Sequence, residues 1–489
     1  MKQLNHYQNI FKMRNIKKLS SVVLIMFAFS LVGCKVPQIA EHSATYTQPG
    51  AYVMGKDSTN SAEINYQQFF SDPYLANLID SALANNQELN IIKQEISIAK
   101  NEVLAKKGAY LPFLKYGAGL GMDKVGRYTR YGSLEANNEI APGKEFPEPF
   151  TDLMVGANFS WELDVWRKLR NDRQASFNRY LASTEGKNFL VTNLVSEIAQ
   201  SYYELLGMDN QLEIINQYIS IQKNALKIVK FQKEAARVTE LAVKRFEAEL
   251  FKNQSRIFEI KQNIIEVENR INYLVGRFPQ PIQRARTPLL NSNPWVIKEG
   301  LPAQLLQNRP DIRQAELEMI ASKIDVQIAR AEFLPSFGLN AGLGMQSFSP
   351  KYFFNLPSSI IYSLVGDMVG PLVNKNEIKA NYYSKNAKQI QAITNYQQKI
   401  LNAHREVYNQ LQNIKNMQMK FDAIDNQVNI LGSSIKISTN LFQSARADYM
   451  EVLLTQRDAL EAKIELVETK KEQYLALIGL YHSLGGGWR

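Results

Sequence analysis

The residues that most often carry covalent or metal chemistry are few and scattered in this 489-residue chain. Cys34 is the only cysteine, so the chain has no intrachain disulfide and no pair of thiols for a metal. The histidines have no spacing to Cys or Asp that is typical of a metal site; they are His6, His42, His404 and His482. No glycine-rich phosphate-binding loop is present. We therefore expect no enzymatic activity and no cofactor.

Cys34 stands where a bacterial lipoprotein signal places its modified cysteine. A basic start and an apolar run from Val22 to Phe29 lead to Leu31-Val32-Gly33 before it. This order is that of a secretory signal peptide, and the apolar run is too short to be a membrane-spanning helix. We predict cleavage before Cys34 and a diacylglycerol, with further acylation such as palmitate, on its thiol. Met13 is a second possible start of the chain.

The charged residues argue against a nucleic-acid partner and favour sorting to the outer membrane. Five basic residues of the leader contribute to the net charge of +10, which leaves the mature chain near +5. No basic stripe with interleaved aromatic residues is present, so we expect no nucleic-acid partner. Lys35 follows the cysteine where an Asp would retain a lipoprotein at the inner membrane, so outer-membrane sorting is favoured. No run of 18 apolar residues follows the leader.

The mature chain contains a long internal repeat. Ala118-Gly119-Leu120-Gly121-Met122 recurs as Ala341-Gly342-Leu343-Gly344-Met345, and Leu111-Pro112 matches Leu334-Pro335 at the same offset. Such a repeat predicts two copies of one structural unit. We divide the sequence into a signal peptide (1–33), an extended lipid-anchored segment (34–71), a first repeat (72–280), a linker (281–301) and a second repeat (302–489).

Each repeat contains two segments in which apolar residues alternate with polar residues or glycine. These segments lie near residues 113–122 and 153–165 in the first repeat, and near 336–346 and 359–369 in the second. Alternation over about ten residues is typical of a strand with one apolar and one wet face. About 9–11 residues is also the length of a strand that crosses a bilayer. An ordinary sandwich strand is the alternative interpretation.

Long helices are predicted after each strand pair. The apolar positions after Glu240 follow a spacing of three and four residues; they are Val243, Phe246, Leu250, Asn253, Ile257, Ile260, Ile264, Val267, Ile271 and Leu274. This spacing is that of supercoiled helices. The segment from Ala380 to Leu431 contains neither Gly nor Pro. The fold class is therefore α+β and mainly α, with a duplicated unit of long helices and a strand pair.

Four strands are too few to wall off a pore. The smallest single-chain barrels of outer membranes need about eight strands, and an open sheet edge is not tolerated in lipid. If these strands cross the membrane, several copies must share one sheet in a ring. Three copies would supply twelve strands around a water-filled lumen.

The chain resembles a known family at several specific motifs. Arg309-Pro310-Asp311-Ile312-Arg313 resembles the midpoint signature of the TolC-like outer membrane factors, in the NodT/OprM lipoprotein branch of RND efflux systems. Trp161-Glu162-Leu163-Asp164-Val165 resembles its strand-to-helix junction, and Leu484-Gly485-Gly486-Gly487-Trp488 resembles its C-terminal end. The resemblance implies a homotrimer with a 12-stranded transmembrane β-barrel on a 12-helix periplasmic α-barrel. It implies docking to a periplasmic adaptor and an inner-membrane RND transporter.

The resemblance also implies roles for two hairpin tips. Adaptor-contacting residues are expected at Arg237, Val238 and Thr239 in the first tip, and at Arg446 and Ala447 in the second. The family usually has Gly where Ala236 and Ala445 stand. Glu451, with Asp448 nearby, matches an acidic position of a periplasmic gate. Three copies of Glu451 around one axis would form an anionic ring, whereas a solvated surface acid is the alternative interpretation.

We thus predict an outer-membrane exit duct that conducts small molecules passively and extends into the periplasm. One alternative is the outer-membrane duct of a type I protein secretion system, which shares the tube. An alternative of another class is a periplasmic adaptor lipoprotein, which would contain one helical hairpin instead of two. The sequence does not specify the exported compound.

Overall fold

The computed structural model describes residues 36–40, 52, 59–285, 288–292, 296–373, 375–444 and 446–489. Its long helices are α1 (Pro73–Asn85), α2 (Gln87–Ala109), α3 (Lys168–Glu234), α4 (Glu240–Val275), α5 (Pro310–Ala331), α6 (Asn376–Gln443) and α7 (Tyr449–Ser483). Its long strands are β1 (Phe113–Asp123), β2 (Phe150–Leu163), β3 (Ser336–Ser347) and β4 (Ile360–Val369). In the part that the model describes, no helix combines the length and the apolar character that crossing a membrane requires.

Shorter elements lie between the long ones. Single helical turns are Ser61–Glu63, Tyr66–Phe69, Leu289–Asn291, Pro302–Gln304, Leu305–Asn308 and Pro350–Phe353. The connection between β1 and β2 contains a helix, Arg130–Asn137, and a small hairpin of Glu139–Ala141 with Lys144–Glu145.

The chain divides into two compact units, and each of them is discontinuous in sequence. The first, here called the sheet unit, comprises Met1–His42, Ile98–Tyr180 and Glu318–Ala392. The second, here called the helical unit, comprises Ser43–Ser97, Leu181–Leu317 and Ile393–Arg489. Both units therefore contain parts of both sequence repeats.

The sheet unit is built on one antiparallel sheet with the strand order β1-β2-β3-β4. Consecutive strands are neighbours, and the central pair, β2 with β3, joins a strand of the first repeat to a strand of the second. The helical segments of this unit are linked by ion pairs: Lys106 with Asp172 at 2.8 Å, and Asp325 with both Arg179 at 2.8 Å and Lys385 at 3.1 Å.

A small apolar cluster in the sheet unit holds the residues that follow the predicted lipid site. Phe333 of the α5–β3 connection and Tyr382 of α6 are buried in this cluster, and Val36 and Ile39 pack against it. Val36 is two residues after Cys34 in the sequence. The segment that contains Val36 and Ile39 is therefore attached to the sheet unit by side-chain packing.

The helical unit contains several apolar core clusters, and helices of both repeats contribute to the largest of them. Asp72 begins α1 as its N-cap, since its carboxylate accepts a hydrogen bond from the Tyr74 N–H at 2.9 Å, and Pro73 occupies the first turn. The other carboxylate oxygen of Asp72 accepts a hydrogen bond from the Tyr202 hydroxyl at 2.5 Å. Fully buried core side chains include Leu75, Ile79, Ile198, Tyr202, Leu205, Ile271 and Tyr481. Burial of each contributes roughly 1.5–3 kcal/mol.

The helices α3 and α6 are 67 and 68 residues long. At 1.5 Å per residue, each extends for roughly 100 Å. The three-four spacing in α4 corresponds to its packing: Val243, Phe246, Leu250 and Ile271 are buried, and Ile257, Ile260 and Ile264 are partly buried against the same cores. The structure has the mainly helical, duplicated fold class that the sequence predicts.

Candidate functional site

The four strands are in a register that keeps most of their apolar residues on one face. Leu120 pairs with Leu153, Val155 with Met345, and Leu343 with Tyr362. Most of these side chains are exposed: Tyr116 is 95% exposed, Leu120 76% and Tyr362 84%. An exposed apolar surface that extends over a whole sheet marks a contact with a membrane or a protein.

The opposite face of the sheet is rich in glycine and polar residues, with a few apolar residues such as Met154 and Val365 among them. Gly156 pairs with both Gly117 and Gly344, and Asn158 pairs with Lys115 and Gly342. Gln346 of β3 donates a hydrogen bond to Asp152 of β2 at 2.9 Å. Side chains are absent at the glycines, so water and solutes can approach the backbone of this face closely.

The two outer strands of this sheet each have one unpaired side. Within the described residues, β1 pairs only with β2, and β4 pairs only with β3. Both strands are exposed along their whole length. An unpaired strand edge presents N–H and C=O groups to any neighbouring strand, and such an edge is not stable in lipid. The sheet is therefore suited to pair with further strands from another chain.

Asp164 fixes the junction between β2 and α3. Its side chain is 4% exposed, and its two carboxylate oxygens accept hydrogen bonds from the N–H groups of Leu169 and Arg170, each at 3.0 Å. These are otherwise unpaired donors of the first helical turn, where a carboxylate also interacts favourably with the helix dipole. The indole of Trp161 donates to the Tyr110 carbonyl at 3.1 Å and fixes the adjacent end of β1.

The first hairpin tip joins α3 to α4 and contains Arg237, Val238 and Thr239. Ala236 has a φ of +50°, and the Arg237 N–H donates to the Gln232 carbonyl at 2.8 Å. This is a Schellman ending, in which glycine normally occupies the left-handed position. Arg237 and Thr239 are exposed, and Val238 is half-buried. Lys233 pairs with Glu240 across the turn, and this hydrogen bond lowers the pKa of the Glu240 carboxyl.

The second hairpin tip joins α6 to α7 and contains Arg446, Ala447 and Asp448. The Arg446 N–H donates to the Leu441 carbonyl at 2.8 Å, as Arg237 does in the first tip. Ala445 lies outside the described residues. Asp448 is the N-cap of α7, and its side chain makes no capping hydrogen bond.

The helical unit brings the two tips together. Val238, Phe442, Tyr449 and Leu453 pack around the buried side chains of a small apolar cluster, here called the tip core: Val229, Ala242, Val243 and Phe246. Arg245 of α4 also contacts the Met450 sulfur at 3.3 Å. Residues that the sequence assigned to separate tips are therefore neighbours in space.

Glu451 lies in the first turn of α7 with its side chain exposed. Its carbonyl accepts a hydrogen bond from the Thr455 hydroxyl at 2.6 Å, and its carboxylate makes no ion pair with any residue the structure describes. Ala242, the matching position of the first hairpin, is fully buried in the tip core. Of these two matching positions, only that of Glu451 presents a charge to solvent.

The two family-like motifs of the sequence form one buried network in the helical unit. The guanidinium of Arg309 binds Asp311 through two hydrogen bonds, of 3.0 and 2.9 Å, and Glu406 at 2.6 Å. It also donates to the Ser483 carbonyl at 3.1 Å, near the end of α7. Burial opposes the charge, but the two carboxylates raise the pKa of Arg309 above its usual value.

The C-terminal residues pack against the residue that precedes Arg309. The Trp488 indole donates to the Asn308 carbonyl at 3.1 Å, and Gly485 has a φ of +87°. A Cβ atom at Gly485 would lie 2.5 Å from that same carbonyl oxygen, so only glycine fits. The glycines do more than stop the helix, because they permit this close backbone contact. The sequence showed both motifs but not their contact, since they are about 175 residues apart.

No group of three or more His, Cys, Asp or Glu side chains that could hold a metal occurs within the described part of the chain. Cys34, the predicted lipid site, lies outside the described residues. The described surfaces are thus a sheet with a mainly apolar face and two open edges, and long helices that end in paired tips.

Comparisons with known proteins define the family. Residues 78–277 and 301–486 match the outer membrane efflux protein family. The cation efflux system protein CusC of Escherichia coli O6:H1 is 27% identical over 468 residues, covering 94% of this chain and 97% of CusC. The probable outer membrane lipoprotein SilC of Salmonella typhimurium is 25% identical over 467 residues, with 94% and 97% covered. A crystal structure of CusC has a TM-score of 0.78 at 24% identity, covering 91% of this chain and 99% of that one.

The chain belongs to the outer membrane efflux protein family. It is the outer-membrane component of an efflux pump, and it extends from the outer membrane into the periplasm. The resemblance that the sequence motifs indicated is thereby confirmed. The family match covers both repeats, so the alternative of a periplasmic adaptor is wrong.

Proposed function

We propose that three copies of this chain form one exit duct for an RND-type efflux pump. The observation that carries this proposal is the four-stranded sheet, with an exposed apolar face and two unpaired edges, in a member of an outer-membrane efflux family. Pairing β4 of each copy with β1 of the next would close twelve strands around a lumen. The apolar face would contact lipid, and the glycine-rich face would line water.

The duct conducts passively, and a partner in the inner membrane supplies the energy. A periplasmic adaptor binds the paired tips, where Arg237, Val238, Thr239, Arg446 and Ala447 are its contact residues. Support comes from the exposure of both arginines and from the packing that holds the two tips together. The relatives are named for efflux of cations or solvents or for export of pyoverdine, which favours small-molecule efflux over protein secretion.

A diacylglycerol on Cys34 anchors each copy at the membrane. Support comes from the signal-like sequence before Cys34 and from Val36 and Ile39, which pack against the sheet unit shortly after it. Intact-mass measurement of the purified chain should find Cys34 at the N-terminus with the mass of its lipid. Replacement Cys34→Ser should abolish this added mass, while the strands should still hold the chain in membranes that have been washed with salt.

Oligomeric state and conductance test the duct itself. Native mass measurement in mild detergent should give three copies, and the purified protein should add discrete conductance steps to a planar bilayer. A monomer that adds no conductance would contradict the proposal. A trimer that conducts but does not bind any adaptor of an RND system would support the proposed duct and contradict its assignment to an RND-type pump.

The Glu451 ring is tested by removing its charge. Three carboxylates around one axis attract cations and repel anions at a narrow place. We expect Glu451→Gln to weaken the preference for K⁺ over Cl⁻ and to raise the conductance of the closed duct. The matched control is Glu461→Gln, an exposed acid on the same helix roughly 15 Å farther from the tip, which should change neither quantity appreciably. Equal effects of the two substitutions would make Glu451 an ordinary surface acid.

A further inference from the structure

The turn that follows β2 presents an unusual combination of exposed side chains. Val165 is 54% exposed and Trp166 is 42% exposed, and Arg167 after them is exposed as well. An aliphatic side chain, an indole and a guanidinium follow one another here. They lie at the helical end of the sheet, which is the end where β2 and β4 lead into α3 and α6. Indole and guanidinium groups are favoured where apolar and aqueous surroundings meet, because each combines an apolar body with polar N–H groups.

The turn is held in place by its neighbours. Arg167 has a φ of +59°, a backbone conformation that residues other than Gly, Asn and Asp rarely adopt. The Asp164 carbonyl accepts a hydrogen bond from the Arg167 N–H at 3.3 Å, while its carboxylate caps α3. The Trp166 indole donates to the Pro335 carbonyl at 2.8 Å, which fixes the ring. Strained backbone that is held this firmly is most common at functional sites.

Among the residues that the structure describes, Arg167 is the cation of this turn without an ion-pair partner. Lys168 pairs with Glu162 at 3.2 Å, and Arg170 lies 3.5 Å from Asp164. The side chain of Arg167 makes no ion pair or hydrogen bond with any other residue in the described part of the chain. The structure therefore directs one exposed guanidinium to solvent beside an interfacial indole.

The turn continues the apolar face of the sheet, and the second repeat has a counterpart. Val165 follows Leu163, the last residue of the apolar row on β2. After β4, Leu372 and Val373 are 78% and 82% exposed, beyond Met368 of the same apolar face. Both strand-to-helix connections thus extend the apolar surface past the end of the strands.

We infer that the Trp166–Arg167 turn binds phospholipid headgroups of the leaflet that faces the periplasm. The indole lies at the boundary between acyl chains and headgroups, and the guanidinium of Arg167 binds a lipid phosphate through its planar N–H donors. Val165, Leu372 and Val373 enter the acyl region beside it. This inference rests on the proposed function, in which the apolar face of the sheet crosses the membrane. Continuity with that face favours lipid over a protein partner as the occupant.

Fluorescence quenching by lipids with brominated acyl chains tests the position of the indole. The full-length lipoprotein is reconstituted in brominated phosphatidylcholine, and the Trp166→Phe variant identifies the contribution of Trp166. We expect lipid-dependent quenching that is largely lost in Trp166→Phe. If the fluorescence of parent and variant is quenched equally while both still conduct, the inference about lipid binding is wrong, and the proposed duct is unaffected. A preparation that neither forms trimers nor conducts would instead contradict the proposed function.

A second measurement tests Arg167 as the phosphate ligand. Competition between phosphatidylglycerol and phosphatidylcholine gives the preference of the reconstituted protein for anionic headgroups. Arg167→Asn keeps a residue that tolerates the left-handed backbone, and it should reduce this preference about five-fold, the effect of one charge near a membrane surface. The matched control is Arg130→Asn, an exposed arginine in the β1–β2 connection, which should leave this preference unchanged. If inorganic phosphate displaces the anionic lipid, or if Arg167→Asn has no effect, the inference fails.

Discussion

Two buried cationic side chains of the helical unit have opposite environments. Arg309 is 4% exposed and is surrounded by acceptors from Asp311, Glu406 and the Ser483 carbonyl. Lys470 is 5% exposed, and its ammonium lies 4.9 Å from the ring centre of Phe421 and 5.9 Å from that of Tyr474. The ammonium makes no ion pair within the described residues. The positive charge of Arg309 is thus compensated by two carboxylates, whereas the positive charge of Lys470 faces only aromatic rings.

Removing Arg309 should be costly, because Asp311 would remain buried without its partner. We expect Arg309→Ala to lower the free energy of unfolding by about 3–5 kcal/mol. The comparison is Arg313→Ala, which removes a 3.3 Å pair with Glu185 whose arginine side chain is 44% exposed. That change should cost less than about 1 kcal/mol. Denaturant unfolding followed by circular dichroism measures both free energies of unfolding. If Arg309→Ala lowers this free energy no more than Arg313→Ala does, the Arg309 network is unimportant for stability.

Replacing Lys470 should have the opposite effect. Burial lowers the pKa of Lys470, so between that pKa and the ordinary lysine value of about 10.4 the unfolded chain binds more protons. Stability from this residue therefore rises with pH over that range. We expect Lys470→Met to raise the free energy of unfolding by about 1–3 kcal/mol at neutral pH. The substitution should also reduce the increase of this free energy with pH. Denaturant unfolding at several pH values measures this. Lys415→Met, at an exposed position of α6, is the control and should change little.

The hairpin tips show at the scale of the element what sequence can and cannot predict. The three-four spacing of apolar residues predicted a packed stripe along α4, and buried residues such as Phe246 and Leu250 lie on it. The resemblance to the outer membrane factors, and not this spacing, implied a turn near Ala236. Neither could give the backbone conformation there, because a left-handed alanine leaves no periodic signal and the expected glycine is absent. That conformation is recognised from the structure alone.

This left-handed alanine makes a prediction at the first tip. A left-handed conformation costs an L-residue roughly 1–2 kcal/mol, and glycine avoids that cost at such a position. We expect Ala236→Gly to slow hydrogen exchange of the tip amides by up to about ten-fold. Ala235→Gly is the control, since its N–H donates to the Phe231 carbonyl at 3.0 Å in the last helical turn. There glycine should speed exchange, and slowing by both variants would refute the explanation from backbone strain.

The strands show a different limit. Alternating residues indicated an apolar and a wet face, because side chains of a strand point alternately to its two sides. Alternation could not reveal that β2 pairs with β3 and so joins the repeats into one sheet. It also gave no sign of the helix Arg130–Asn137, because its 8 residues are too few for a helical period to be recognised. The contact of Arg309 with the end of α7 was hidden for a similar reason, since pairing across a long chain leaves no local pattern.

For the whole molecule, the open edges of the sheet determine how copies would meet. The chain enters β1 at the helical end of the sheet and leaves β4 at the same end. An antiparallel seam between β1 of one copy and β4 of the next is therefore possible without any change of the fold. If the edges overlap along their full length, Phe113 lies beside Val369. The same register places Lys115 beside Asp367, both on the polar face.

This seam predicts an ion pair between copies. Lys115 and Asp367 are exposed, and neither has an ion-pair partner within the described part of the chain. We expect Lys115→Asp or Asp367→Lys to lower the melting temperature of the trimer, because like charges would face each other; each seam would lose up to about 1 kcal/mol. The double exchange, Lys115→Asp with Asp367→Lys, should restore much of the loss.

Cysteines at the same two positions test the register of the seam directly. Disulfides require Cα atoms roughly 4.4–6.8 Å apart, so Lys115→Cys with Asp367→Cys should cross-link neighbouring copies into linked dimers and trimers on a denaturing gel. The control pairs Lys115→Cys with Ile361→Cys, which is on the same face but six residues away, or roughly 20 Å along β4. Cross-linking of the control alone would require a different register. Failure of both pairs in a conducting trimer would mean that the copies meet elsewhere than along β1 and β4.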